Sequence, residues 1–368
     1  MIIVMKADVA ADSPDLQRVL ALAESYPGIS TQLHRIQGAT RSVTEVYLLG
    51  PTGVVPAAPF EEFESVEKVV RVTQSFRALG PHGGGLEAVG FHYNGVHISQ
   101  DTLHVFAGLC AVDTPENVES TFRVLQELGI TTTRAGAYKP RSSPYDFQGL
   151  GAGCLPWVFE LAGKYGIRIV AMEVTHESHL EEILRALDAS GGATGVMVQI
   201  GTRNAQNFEL LKAVGQQTAL PVLFKRGMGI TLEESLNACE YVASGGNRQI
   251  VFCLRGMKSN LGDPHRNFVD FAHVPVVKRL TRLPVGVDPS HSVGRRSTGP
   301  DGLLDIFHVT AQGVIAGANM VLVDVHPRPE SALCDGPQAL LLDELPAFVD
   351  DVAIARRAYE ERRRRRNV

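Results

Sequence analysis

No apolar run in this chain approaches the roughly 20 residues that a helix needs to cross a bilayer, which argues against a membrane-spanning protein. Cysteine is sparse: five residues, an odd number with no paired spacing, argue against a disulfide framework and for a reducing cytoplasm. The opening stretch MIIVMKADVAADSP lacks the layout of a signal peptide, so the expected location is cytoplasmic. Positive charge is not in excess either. A formal net charge of -5 gives no support to nucleic-acid or membrane-surface binding. There is no internal repeat, and no Gly-x-Gly-x-x-Gly opens the first helix of the alternating region. What is present is an ordinary balance of 44% apolar and 20% charged residues over 368 positions. That is enough for a barrel of about 250 residues and a smaller module.

Residues 1–75 read as that module. Ile2–Lys6 is a predicted strand, and Ser13 caps a helix carrying Leu16, Val19, Leu20, Leu22 and Ala23. Strands at 29–36 and 44–49, an amphipathic helix from Phe60 to Val66 and a strand at 69–72 complete the order strand, helix, strand, strand, helix, strand. That order is ferredoxin-like. Residues 76–102 read as a Gly- and His-rich linker with a short hairpin between Gly90 and Ile98. From 103 to 368, eight apolar strands alternate with amphipathic helices or long loops, the last helix running from Leu340 to Arg364. A (β/α)8 barrel is the leading reading and a doubly wound open sheet the alternative. The tail Glu360–Arg366 reads as the solvated end of the last helix.

A parallel barrel gathers the C-terminal ends of its strands at one face, so functional side chains are expected where each strand stops. The richest such segment is Arg134-Ala-Gly-Ala-Tyr-Lys139-Pro-Arg141-Ser142, which follows a β-branched run. Its Gly, Pro and Ser content continues neither a strand nor a helix. It presents three cations within eight residues, an arrangement suited to an anion; a solvated basic turn is the plainer alternative. Other strand ends supply Glu173, Gln199 with Arg203, Lys225-Arg226 and Arg255. Cations at four strand ends imply a cavity for a small, multiply anionic ligand carrying phosphate and carboxylate, with Glu173 counted among the substrate-binding residues. Cys110, His291, Asp324 and Asp335 come from the same face. A thiolate, an imidazole and carboxylates suit a divalent transition metal (Mn, Fe, Co or Zn) better than Ca or Mg. Taken alone, Cys110 reads equally as a small buried residue. Cys154, Cys239, Cys253 and Cys334 lack comparable company and read as structural.

These segments, with QIGTRNAQNFELLK, LFKRG, RNFVD, VDPSHSVGRR and VHPRPESALCDGPQAL, resemble 3-deoxy-D-arabino-heptulosonate 7-phosphate (DAHP) synthase. The form resembled is the short microbial type with an N-terminal ferredoxin-like domain. The resemblance implies an aldol-type condensation of phosphoenolpyruvate with erythrose 4-phosphate, the first step of the shikimate pathway. By motif it implies that Arg134, Lys139 and Lys225 hold the phosphoenolpyruvate carboxylate, Arg203 and Arg255 its phosphate, and Arg141 and Ser142 the aldose phosphate. It places Cys110, His291, Asp324 and Asp335 as metal ligands, and Lys139, Cys110 and His291 as the catalytic set. The chain departs from the family's pattern at Leu109 (Pro), Leu254 (Glu in close relatives) and Asp324 (Glu). A specialised paralogue condensing phosphoenolpyruvate with another aldose phosphate or aldehyde is therefore the alternative function. A non-catalytic barrel sensing a metabolite is the reading from outside enzymology. The resemblance also implies a homo-oligomer, tetramer or dimer, and an aromatic amino acid inhibitor acting through residues 1–75; a purely structural module is the counter-reading.

Overall fold

The computed structural model describes residues 1–7, 9–10, 12–37, 42–71, 76–80 and 90–366. The chain divides into two compact units, Met1–Leu86 and Glu87–Val368. The first unit is built on a four-stranded antiparallel sheet of β1 (Ile2–Met5), β2 (Ser30–Gln37), β3 (Ser42–Leu49) and β4 (Val66–Val70). Its spatial order is β2-β3-β1-β4. Two helices are inserted: α1 (Pro14–Glu24), whose first turn is capped by the Ser13 hydroxyl accepting from Leu16 N–H, and α2 (Ala58–Glu61). Order and topology are ferredoxin-like. Alternation along β1 puts Ile3 and Met5 into a core with Leu16, Val19, Val46 and Phe60, while Ile2 and Val4 join Tyr47 on the opposite face.

The expected helix from Phe60 to Val66 is not formed; α2 is a single turn, and Val66 already begins β4. The β-branched run Val66, Val69 and Val70 gains a ladder with β1, pairing Ile2 with Val70 and Ile3 with Val69. Packing on a pleated surface outweighs the short amphipathic signal. Val72 of the expected last strand, residues 73–75, and residues 81–89 of the expected linker lie outside the described residues.

The second unit opens with an antiparallel hairpin, β5 (Phe91–Tyr93) and β6 (Val96–Ile98). Eight parallel strands follow: β7 (His104–Leu109), β8 (Thr132–Ala135), β9 (Ile169–Val174), β10 (Gly195–Ile200), β11 (Val222–Lys225), β12 (Ile250–Leu254), β13 (Val285–Val287) and β14 (Met320–Asp324). They close in sequence order, with β14 pairing back onto β7. The helices are α3 (Pro115–Glu127), α4 (Leu155–Lys164), α5 (Ser178–Ala189), α6 (Phe208–Gln216), α7 (Leu232–Ser244), α8 (Val274–Leu280), α9 (Pro289–Val293), α10 (Asp305–Ile315) and α11 (Leu345–Arg364). Their starts are locally encoded: Thr114 caps α3 ahead of Pro115, and Thr231 with Glu234 forms a capping box on α7. The doubly wound sheet is thereby excluded. No helix among the described residues is long and apolar enough to cross a membrane.

Two boundaries differ from expectation. α8 occupies what reads as a loop after β12, its Val274 and Val277 buried. α11 starts at Leu345 rather than Leu340, because Leu340 is held in extended form between Asp324 O and His326 N–H, at 2.9 Å each. That clamp ties the segment after β14 to the strand end.

Inside the barrel, Phe106, Ile169, Ala171, Met197, Leu223, Val251, Cys253, Met320 and Leu322 form one core, joined by Phe91, Val96 and Ile98 of the hairpin. Tyr93 of the hairpin accepts from Val196 N–H at 3.1 Å, and Asn94 donates to Arg168 O at 2.7 Å, so the hairpin seats on the strand starts. The neighbouring strand positions face outward and are buried under the helices, as with Val170, Val198, Phe224 and Phe252. Phe106 has no solvent exposure at the centre of the inner core. Phe106→Ala is expected to lower the stability of the barrel by about 3–5 kcal/mol in urea unfolding; a loss below about 1 kcal/mol would show that this core collapses around the cavity.

Candidate active site

Period-two alternation carries the barrel interior directly into the site. Two residues beyond Ala171 is Glu173, beyond Met197 is Gln199, beyond Leu223 is Lys225, beyond Cys253 is Arg255 and beyond Leu322 is Asp324. The inner face therefore changes from apolar to charged in one step at the C-terminal end of the strands. There a cavity of about 600 Å³, open mouth included, is lined by Arg134, Lys139, Arg141, Arg203, Lys225, Arg255 and Arg266. Ser142, Glu173, Gln199, His291, Cys334 and Asp335 line the same cavity. Ten of the twelve site residues expected from sequence thus share one wall; Cys110 and Asp324, both buried, stand against it through His291 and Arg134.

Most of these charges are internally matched. Lys139 Nζ lies 3.2 Å from Glu173 Oε2 and 3.3 Å from Cys110 Sγ. Burial opposes the Lys139 ammonium, but Cys110 and Glu173 outweigh it and hold the amine above the usual lysine range, so it stays a proton donor. Lys225 pairs with Asp288, and Arg134 with Asp324. Arg226, fully buried beside the site, donates to Asp270 at 2.8 Å, while the other oxygen of Asp270 accepts from Gly256 N–H at 2.8 Å. One carboxylate thus ties the end of β11 to the end of β12.

Arg255 is the exception. Only 2% exposed, it leaves Nε and Nη1 without a hydrogen-bond partner, and burial lowers its pKa. A buried guanidinium on a cavity wall, with two of its donors unpartnered, suits an anion. Arg203 is less constrained, its nearest polar contact being Ser142 Oγ at 3.5 Å.

His291 is positioned by Asp288, a strand-end residue to which the sequence alone assigns no role. The Asp288 carboxylate caps α9, accepting from His291 N–H at 3.0 Å, and also meets His291 Nδ1 at 2.9 Å. Gly294, at φ 73°, ends the helix a turn later. With Nδ1 engaged, Nε2 is directed to Cys110 Sγ at 4.0 Å and Asp335 Oδ2 at 3.6 Å. Such a carboxylate–imidazole pair is the usual support of a metal-ligating histidine. Donor atoms of Cys110, His291 and Asp324 lie within 4.8 Å of one another, as do those of Cys110, Cys334 and Asp335. The donor set fits a transition ion. Asp324 itself takes Arg134 on one oxygen and Gln338 Nε2, at 2.6 Å, on the other.

Cys334 is the correction. Read from sequence as structural, it lines the cavity, with its sulfur 3.9 Å from Cys110 Sγ, 3.4 Å from Asp335 Oδ2 and 2.8 Å from Arg141 Nη1. The signal available was its place beside Asp335. The other three, Cys154, Cys239 and Cys253, are buried away from the cavity wall. Arg266 was also missed; it donates to Asp335 Oδ1 at 3.1 Å.

A closed (β/α)8 barrel with converging cations and sulfur, imidazole and carboxylate donors at its C-terminal mouth defines an enzyme of anionic substrates. Residues 84–355 match the model of the DAHP synthetase I family. The chain is 37% identical over 352 residues to phospho-2-dehydro-3-deoxyheptonate aldolase of Thermotoga maritima, covering 96% of each. It is 26% identical over 271 residues to 2-dehydro-3-deoxyphosphooctonate aldolase of Desulfosudis oleivorans, covering 70% of this chain and 92% of that one. The crystal structure of the Thermotoga maritima DAHP synthase superposes with a TM-score of 0.68 at 36% identity, covering 96% of both chains. A truncated form of the 3-deoxy-D-arabino-heptulosonate 7-phosphate synthase from that organism gives 0.64 at 33%, covering 76% of this chain and 95% of that one. The chain belongs to the DAHP synthetase I family.

Close approach makes Gly201 a structural requirement of the site. A Cβ there would fall 1.8 Å from Glu173 Oε1. Gly201→Ala is expected to displace Glu173 from Lys139 and to cost about 1–3 kcal/mol of stability, read from urea unfolding. An unchanged midpoint would mean that Glu173 has another rotamer open to it.

Proposed function

We propose that this protein condenses phosphoenolpyruvate with erythrose 4-phosphate to give DAHP and inorganic phosphate, the first step of the shikimate pathway. Family membership supports the reaction. The observation that carries it in this molecule is the cation-lined cavity with its buried, under-partnered Arg255. Arg203 and Arg255 bind the phosphate of phosphoenolpyruvate; Arg134, Lys139 and Lys225 face its carboxylate; Arg141 and Ser142 take the phosphate of the aldose. Held this way, the enol carbon is within reach of the aldehyde carbon, and the positioning replaces a bimolecular encounter.

As the carbon–carbon bond forms, Lys139 Nζ, kept protonated by Cys110 and Glu173, delivers a proton to the aldehyde oxygen. Water adds at C2 of the former enol, its proton restoring the Lys139 ammonium. The C2–O bond to phosphate then breaks as the new hydroxyl becomes the ketone and gives its proton to the departing phosphate, with Arg203 and Arg255 stabilising the leaving charge. Cys110, His291, Asp324 and Asp335 hold a divalent ion, Mn, Fe, Co or Zn, which supplies Lewis-acid polarisation of the aldehyde when bound. Asp288 orients His291 for that purpose. The departures at Leu109, Leu254 and Asp324 fall at the last residues of β7, β12 and β14, which keeps a different aldehyde partner as the second reading.

Phosphate release from phosphoenolpyruvate, measured against a panel of aldoses with and without added Mn, tests the assignment. Turnover with erythrose 4-phosphate is expected; turnover only with another aldehyde would transfer the chain to the second reading. Lys139→Ala is expected to lower kcat by roughly 10²–10⁴-fold, and Cys110→Ala to abolish turnover. A near-wild-type rate in either variant removes that residue from its role. The N-terminal unit is proposed to carry feedback control. Inhibition of the full chain by tyrosine or phenylalanine is the expected result, and undiminished phosphate release at saturating amino acid would leave that unit a structural role.

A further inference from the structure

Two sulfurs, not one, face the proposed ion site. Cys334 and Asp335 are consecutive, and in extended chain their side chains would point to opposite sides. Asp335 instead adopts the left-handed conformation, φ 54°, uncommon for a residue other than glycine and tolerated by Asp. The turn brings both side chains to the same place: Cys334 Sγ is 3.9 Å and Asp335 Oδ2 3.2 Å from Cys110 Sγ.

Five of the six separations among the donors of Cys110, His291, Cys334 and Asp335 have the size of edges of a coordination polyhedron. With metal–sulfur bonds of about 2.3 Å and metal–nitrogen or –oxygen bonds of about 2.0–2.1 Å, tetrahedral edges come to about 3.8 Å for S–S, 3.5 Å for S–N or S–O and 3.3 Å for N–O. Cys110 to Cys334 is 3.9 Å, Cys110 to His291 Nε2 4.0 Å, Cys334 to Asp335 3.4 Å and His291 Nε2 to Asp335 3.6 Å. Each sulfur also accepts from a cation, Lys139 at 3.3 Å to Cys110 and Arg141 at 2.8 Å to Cys334.

We infer that Cys334 is a further ligand of the ion beside Cys110, His291, Asp324 and Asp335, which makes the site a two-thiolate site and turns its preference toward softer ions such as Zn and away from Mn. The inference rests on the ion site proposed above. Titration of the full-length chain with Co(II), following the near-ultraviolet thiolate-to-cobalt absorption, tests both. Two-thiolate intensity in the wild type, about half of it in Cys334→Ser, and a Zn-over-Mn preference reduced in that variant are the expected results. Intensity unchanged in Cys334→Ser but lost in Cys110→Ser would overturn the inference and leave a one-thiolate site standing. Absence of the band in the wild type would remove the ion site, and the inference with it. Should Cys334→Ser not fold, X-ray absorption on the Zn-loaded wild-type chain counts sulfurs directly: two per ion supports the inference, one overturns it.

Discussion

Every functional feature of the second unit depends on the closure of eight parallel strands with strict alternation of inward and outward side chains. Closure makes the interior a single column, so each inward position continues the one two residues before it. Where the column is apolar it is the barrel core of Phe106, Met197, Leu223 and Leu322. One step further it is Gln199, Lys225 and Asp324, with Glu173 and Arg255 at the same level. A one-residue slip in any strand would exchange that strand's charged residue with a position buried under the helices. Core packing therefore sets the geometry of the chemistry.

Burying this many charges is tolerated because they are matched before any ligand arrives. Lys225 with Asp288, Arg134 with Asp324, Lys139 with Glu173 and Arg226 with Asp270 are all nearly inaccessible pairs. An isolated charge in such surroundings costs several kcal/mol, which pairing offsets. Asp288 and Asp270 serve two partners each, Lys225 with His291 and Arg226 with Gly256 N–H, so carboxylates tie the end of β11 to the ends of both β12 and β13. Against this balanced background Arg255 is conspicuous, because its free donors remain for a ligand to satisfy.

Much of this was legible in the residues. Strands β10, β11 and β12 form at the limits expected of them, 195–200, 222–225 and 250–254, because they are largely apolar runs bounded by polar residues and turns. The cations after them were visible for the same reason. The short α2 and the start of α11 were not, since strand pairing of Val66–Val70 and the extended clamp on Leu340 are decisions of distant chain. Cys334 was misread by the same limitation. Its one local signal was its place beside Asp335; that Cys110, 224 residues away, stands 3.9 Å from its sulfur is decided by the fold.

By itself, then, the sequence determined the kind of fold and the chemical types gathered at its mouth, because periodicity and strand-end composition are local properties of the chain. Only the tertiary structure decided which charges pair, which are left for a ligand, and which sulfurs meet. Those depend on barrel closure and on the left-handed turn at Asp335, which bring together segments that no local pattern connects.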